Sequence, residues 1–359
     1  MVGDRAPHRR PRDWSRAHET AYAQPIGAPP TAITIGNFDG VHIGHAALVR
    51  RARDLVGETG RVLVLTFDPH PGSVLRPGGA PPRLTTFEHR ADLLRALGAD
   101  DVVRLEPTRD LLGLDPTAFL RRAVDQHTPG VIVEGPDFRF GKDRAGDVDT
   151  LRTLGEDLGF EVSIVDPVAQ ALRDQSVVRV SSSITRWAIA HGRVRDAALL
   201  LGRPYELPGS VVRGDRRGRQ LGLPTANIVS ACMSPADGVY AGILRVPDGR
   251  VWAAAVNVGE RPTFDGPAHR VEAHLLDVEP GASASAEQTD HPWAPIVGLP
   301  EYGWSCTLEL IGWVRDQARF GTPALLAEQI GRDCERVRQI IGPIGPTRDA
   351  HVRTGVEMA

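Results

Sequence analysis

The sequence predicts an α/β domain built on a mostly parallel sheet, followed by a small antiparallel β domain that carries one terminal helix. Three observations carry this expectation. From Ala32 to about Val165, short apolar runs alternate with helical patterns, as in βαβ units with helices on both faces of a sheet. Beyond Arg203 the pattern changes, and Gly- and Pro-rich turns separate short strand-like runs, which suits an antiparallel sheet or small barrel. An amphipathic pattern at about Pro323 to Ile341 predicts a helix packed on that sheet.

The first strand is the β-branched run Ile33 to Ile35, stopped by Gly36 and the turn formers Asn37 and Asp39, and a helix pattern follows His45. Further strands are expected at Arg61 to Phe67, Asp101 to Leu105, Val131 to Gly135 and Glu161 to Asp166. Helices are expected near Glu88 to Leu97, near Pro116 to Gln126 and after Asp149. Two short runs closed by glycine, Ser181 to Gly192 and Arg193 to Gly202, read as helices bridging to the second domain. There GSVVRG, GVYAGILRV, VWAAAVNVG, HRVEAHLLD and WSCTLELIGWV read as strands. Met1 to about Gln24 has mixed charge and no periodicity and is expected to be a disordered tail. Glu279 to Pro295 is small, polar and Pro-bearing, the composition of a mobile surface loop.

Composition narrows the function. The chain has 359 residues, 41% hydrophobic and 24% charged, enough for two domains with full cores. A formal net charge of -3 gives no basic footprint for nucleic acid, so no nucleic-acid partner is expected. Cys232, Cys306 and Cys334 are odd in number and lack metal-ligand spacing, which argues against a disulfide framework and fits a reducing cytoplasm. No apolar run is long enough for a transmembrane helix, and no membrane association is expected.

The stretch TAITIGNFDGVHIGH, Thr31 to His45, holds the most chemistry. A strand, a tight turn and a helix deliver His42 and His45 to one turn with Gly44 between them, where backbone and imidazoles can approach a phosphate chain beside a helix N-terminus. An imidazolium, or a neutral imidazole donating one N–H, can stabilise charge building on a phosphate during nucleotidyl transfer. DPHP (Asp68 to Pro71) and PDFRFG (Pro136 to Gly141) follow other strand ends of the same sheet, where ligands bind in open α/β folds. In the second domain, glycines 214, 218 and 222 with Arg216, Arg217 and Arg219 form a basic loop able to face phosphates. It leads into PTAN, where Pro224 fixes the backbone and the Thr225 hydroxyl and Asn227 amide oxygen are ligands that Mg²⁺ accepts.

GNFDGVHIGH resembles the HxGH signature of the nucleotidylyltransferase superfamily, in the form carried by bacterial FMN adenylyltransferase domains. TFDPHPGSVL, RLTTFEHRADLL, GPDFRFGKDRAGD and SSSITR resemble successive segments of that domain. The resemblance implies a Rossmann-like domain whose catalytic histidines are His42 and His45. Its ATP and phosphate contacts would come from Gly36, Phe38, Gly44, Asp137, Arg144, Ser181, Ser182 and Arg186, with Asp68 and His70 near substrate or phosphate. The family's last segment usually reads SSTxIR; here Ser183 and Thr185 stand in place of threonine and isoleucine.

GSVVRGDRRGRQLGLPTANI resembles the signature of riboflavin kinase, and GVYAG, NVGERPTF, VEAHLLD, VRDQARF and AEQIGRDCERVR continue the likeness. This implies a small barrel with Glu272 as catalytic base, Thr225 and Asn227 as Mg²⁺ ligands, and Gly214, Arg219 and Arg315 near ATP or flavin. Together the resemblances imply bifunctional flavin cofactor synthesis: riboflavin is phosphorylated to FMN, and FMN is adenylylated to FAD with release of pyrophosphate. Mg²⁺ and ATP are required, with no tightly bound metal or prosthetic group. The implied partners are riboflavin, FMN, FAD, ATP and flavoprotein clients; oligomeric state is left open. The implied division is a tail at 1–24, an adenylyltransferase domain at 25–186, a helical linker at 187–202, a kinase domain at 203–345 with a surface insertion at 279–295, and a tail at 346–359. Two rivals stay open at this point: a paralogue with one impaired site or a modified flavin substrate, and a flavin-binding regulatory protein.

Overall fold

The computed structural model describes residues 30–343 except 77, 126, 215–224, 261–268, 279–295 and 297. Arg216, Arg217, Gly218, Arg219, Gly222, Pro224, the insertion and both tails lie outside the described residues.

The first sheet has five parallel strands in the order β3-β2-β1-β4-β5, where β1 is Thr31–Gly36, β2 Arg61–Phe67, β3 Asp101–Leu105, β4 Val131–Glu134 and β5 Glu161–Ile164. Strands β1 and β2 are continuous apolar or β-branched runs because both of their faces are covered. Ile33, Ile35, Leu63 and Leu65 pack on one side against Phe119, Leu120, Leu151 and Phe160. Val62 and Val64 pack on the other against Val49, Ala52 and Leu94. The helices that supply these layers are α1 (Ile43–Val56), α3 (Phe87–Ala96), α5 (Pro116–Val124) and α6 (Val148–Leu158), with short turns α2 (Gly72–Leu75) and α4 (Arg109–Leu112). The direction of strand addition reverses between β1 and β4, so a crevice opens at their carboxyl ends.

A hairpin of β6 (Ala169–Ala171) and β7 (Val177–Arg179) follows; its strands are too short to show a period in sequence. Next come α7 (Ser182–Ala190) and α8 (Val194–Leu201). These helices are firmly packed: Ala188, Ile189, Val194, Ala197 and Leu200 share one core with Leu84 of the first domain and with Tyr205, Leu207, Tyr240 and Leu308 of the second.

The second domain is a closed six-stranded antiparallel barrel, so the choice between sheet and barrel falls to the barrel. Its strands are β8 (Tyr205–Val212), β9 (Thr225–Ser230), β10 (Gly238–Arg245), β11 (Val251–Glu260), β12 (His269–Leu275) and β13 (Ser305–Arg315). Thr225 to Asn227 of the PTAN run open strand β9. The terminal helix α9 spans Pro323–Ile341, capped by the Thr322 hydroxyl, and lays Cys334 and Val337 on Ala241, Ala255 and Leu276 of the barrel's outer face. Among the described residues no helix is long and apolar enough to cross a membrane.

Gly192 joins α7 to α8 at φ 68°, and a Cβ there would stand 2.8 Å from the Trp313 ring and 3.0 Å from the Tyr240 hydroxyl. Both the backbone angle and the clash oppose any side chain. Gly192→Ala is expected to destabilise the protein by about 1–3 kcal/mol, read as a lower urea midpoint at unchanged m-value.

Candidate active sites

The His turn closes on itself. The backbone N–H of His45 donates to Nδ1 of His42 at 3.2 Å, and the backbone N–H of His42 donates to Nδ1 of His45 at 3.3 Å. The two imidazoles thus form a reciprocal cap on α1, stacked with centroids 3.6 Å apart. Because each Nδ1 accepts, each ring carries its proton on Nε2 when neutral. Burial holds the rings in that state: it lowers the His42 pKa to about 4, with the Arg203 and Arg186 guanidiniums adding to the effect, and it takes His45 well below its ordinary value. Of the two charge states open from sequence, the structure selects the neutral donor. Gly44 leaves room for this stack, since a Cβ there would meet Nδ1 of His42 at 3.1 Å.

The turn is anchored through Asp39. Its carboxylate accepts from the backbone N–H of Leu84 (3.0 Å), from the backbone N–H and hydroxyl of Thr85 (2.9 and 3.0 Å), and from Nη2 of Arg186 (2.6 Å). Its carbonyl accepts from the Ser182 hydroxyl at 2.8 Å. Arg90, buried, lies 3.6 Å from the same carboxylate and donates to the Phe67 carbonyl at 2.9 Å. Nearby, Asp68 presents a buried Oδ1 without a hydrogen-bond partner among the described residues, 3.4 Å from Arg83 and 3.9 Å from Arg90. At the crevice between β1 and β4, Glu134 accepts from the Ile35 backbone N–H at 2.6 Å, and burial raises its pKa well above the carboxylate range.

On the barrel, cross-strand register places Asn227 of β9 opposite Glu272 of β12, and Glu272 opposite Asn257 of β11. The neighbours Ile228, Val271, Ala273, Val256 and Val258 point into the core, so this polar row lies on the outer face. Thr225 shares that face two residues before Asn227 and is exposed. Among the described residues Oδ1 of Asn227 is buried with no hydrogen-bond partner, and Gly214 abuts the same amide so closely that a Cβ would fall 2.1 Å from Nδ2. Gln317 donates to Asn257 Oδ1 at 3.2 Å and closes the end of the row.

A family model described as FAD synthetase matches residues 26–183, and one described as riboflavin kinase matches residues 201–341. The bifunctional riboflavin kinase/FMN adenylyltransferase of Escherichia coli K12 is 32% identical over 321 residues, covering 88% of this chain and 94% of the relative. The chain belongs to the bifunctional riboflavin kinase/FMN adenylyltransferase family. The member from Pseudomonas fluorescens is 39% identical over 249 residues, 68% of this chain and 78% of its own. A crystal structure described as a macrolide-efflux protein from Streptococcus pneumoniae aligns at a TM-score of 0.72 and 28% identity, over 87% of this chain and 95% of that one.

Within this family fold, the site residues expected from sequence separate into two groups. His42, His45, Gly36 and Gly44 meet at the His turn, and Thr225, Asn227, Glu272 and Gly214 meet on the barrel face. The others make contacts of their own. The Phe38 ring is buried against His45, centroid to centroid 4.9 Å. Ser181 caps α7, its hydroxyl accepting from the Ile184 N–H at 3.3 Å, and Ser182 and Arg186 hold Asp39. Asp137 is exposed and pairs with Arg179 of β7; Arg144 is exposed on a 3-10 turn. Arg315 donates through Nε and Nη2 to the buried carboxylate of Asp333, at 2.9 and 2.7 Å, and so ties β13 to α9. Thr185, one of the two departures from the family pattern in this segment, is fully buried and donates its hydroxyl to the Ser181 carbonyl at 2.9 Å, which satisfies it within the helix.

Sequence reading treated Asp39 as a turn former and passed over Thr85, Arg90, Glu134, Asn257 and Gln317. For Asn257 a signal existed, an amide on the outward period of a strand; for the others the partners lie 45 or more residues away or come from another strand end.

A histidine held neutral by burial favours the fold above its unfolded pKa of 6.5, and that contribution is lost as pH falls through its folded value, about 4 for His42. Nitrogen NMR of the two imidazoles between pH 6 and 8 should therefore show the Nε2–H tautomer and no titration. A protonation step near pH 6.5 would contradict the geometry.

Proposed function

We propose that this chain makes both flavin cofactors in sequence, with FMN formed on the outer face of the barrel and FAD formed at the His turn. The protein is a riboflavin kinase and an FMN adenylyltransferase. One observation carries the assignment of the second site: His42 and His45 commit their Nδ1 atoms to the helix cap, which leaves two neutral Nε2–H donors beside the N-terminus of a 14-residue helix.

At the barrel, Glu272 is 32% exposed and stands next to Asn227 in the row. It takes the proton from the terminal ribityl hydroxyl of riboflavin as that oxygen forms a bond to the γ-phosphorus of ATP and the bond from phosphorus to the ADP oxygen breaks. The orphaned Oδ1 of Asn227 and the Thr225 hydroxyl are neutral oxygen donors that fit Mg²⁺, and among the described residues no cluster of three or more His, Cys, Asp or Glu forms an all-protein cage. A Mg²⁺ ion held there with the nucleotide's phosphates would neutralise charge on the transferred group.

At the His turn, an FMN phosphate oxygen bonds to the α-phosphorus of a second ATP and pyrophosphate departs. The Nε2–H groups donate to phosphate oxygens as charge builds on them, and the helix terminus adds to that field. Because the imidazoles are neutral, their part is donation and positioning, with no covalent intermediate. Arg186 acts here through Asp39, holding the turn. The domain division proposed from sequence suits this reading, and three buried free cysteines suit a cytoplasmic enzyme.

Riboflavin incubated with the protein and Mg-ATP should give FMN and then FAD on chromatography. His42→Ala should lower FAD formation from supplied FMN by about 10²- to 10³-fold and leave FMN formation intact. Glu272→Ala should lower riboflavin phosphorylation by roughly 10²- to 10⁴-fold and leave adenylylation intact. Loss of both activities in either folded variant would sink the two-site assignment.

A further inference from the structure

The backbone of the His turn is strained. Phe38 at φ 47° and Val41 at φ 44° occupy the left-handed region without being glycine, and a β-branched residue is a genuine outlier there. Such conformations persist only where the surroundings over-determine them. Two sets of ties come from within the first domain and from α7, through Asp39, Thr85, Ser182 and Arg186.

A third tie comes from the second domain. Arg203 follows Gly202, the left-handed C-cap of α8, and precedes the first barrel strand by two residues. Its Nη1 donates to the Val41 carbonyl at 3.0 Å and its Nη2 to the Gly40 carbonyl at 2.9 Å, the two residues immediately before His42. Its Nε faces Oε2 of Glu206 on β8 at 3.5 Å, and that carboxylate oxygen lies 2.8 Å from Nε2 of His89 on α3. A planar guanidinium can span two adjacent carbonyls and a carboxylate at once; an ammonium on a flexible stem cannot.

We propose that Arg203 is a positioning residue for FAD formation, an arginine supplied from the head of the kinase barrel that fixes the His turn of the other domain, with Glu206 fixing the arginine. It contacts the peptide carbonyls and no reacting group. This inference rests on the assignment of His42 and His45 to adenylyl transfer, and the two are separable: a silent His42→Ala would remove that assignment, whereas an impaired His42→Ala with a silent Arg203→Ala would remove only the clamp.

The position is accessible for a chemical test. Arg203, Glu206 and His89 line a groove of about 1400 Å³ between the domains, and the Arg203 side chain keeps 20% exposure. In full-length Arg203→Ala, kcat for FAD formation from supplied FMN should fall about 10- to 10²-fold, with KM for FMN changed by less than about threefold and riboflavin phosphorylation unchanged. Millimolar guanidinium should restore part of the lost kcat in this variant and do nothing for the wild type. Arg203→Lys should be impaired in the same direction with its kinase rate intact. An unchanged kcat overturns the proposal, as does a parallel loss of both activities without guanidinium rescue. Should Arg203→Ala fail to fold, Arg203→Lys decides by the same split: FAD formation lowered with kinase activity intact supports the clamp, and both intact or both lost overturns it.

Discussion

The carboxylate of Asp39 is the constraint on which the His turn depends. A buried carboxylate is costly unless every lone pair is used, and here two backbone N–H groups, a hydroxyl and a guanidinium converge on it from two segments, Leu84–Thr85 and Arg186. Those bonds join β1, α3 and α7 at one point. They also set the path of the chain through Gly40 and Val41, so the position of His42 follows from an electrostatic requirement one turn upstream.

The histidines illustrate how a local motif acquires a definite protonation state. Two residues between them, including Gly44, let each ring cap the other's backbone, and the same bonds exclude a proton from Nδ1. Burial then removes the charged form. What remains is a pair of N–H dipoles fixed in direction, and preorganised dipoles need no reorganisation when charge develops beside them. The barrel solves a different problem. Asn227, Glu272 and Asn257 are remote in sequence, and only antiparallel register across three strands aligns them. Closure of the barrel makes that register rigid.

The two domains do not behave as beads on a linker. Helices α7 and α8 complete a core that contains Leu84 from one domain and Tyr205, Tyr240 and Leu308 from the other. Arg203, Glu206 and His89 add a polar seam beside it. Charged side chains at this seam are pulled into structural duty, and the same is true of Arg186 and Arg315. Each could be read from sequence as a cation awaiting phosphate. In the fold, Asp39 and Asp333 engage them first.

By itself the sequence determined the parallel α/β domain, the β-rich second domain, the terminal helix at Pro323–Ile341 and the two motif clusters, because each rests on local periodicity, turn chemistry or residues close in the chain. It left the β6–β7 hairpin unseen, since three-residue strands show no period, and it did not show that Thr225 begins a strand. Only the tertiary structure decided that the second domain closes as a barrel, that Glu272 stands in register between Asn227 and Asn257, and that the histidines are neutral. It alone decided that Arg186 and Arg203 hold the His turn from 147 and 162 residues away. Register, burial and the choice of partner for a charged side chain are set by segments distant in the chain, and no spacing within a motif encodes them.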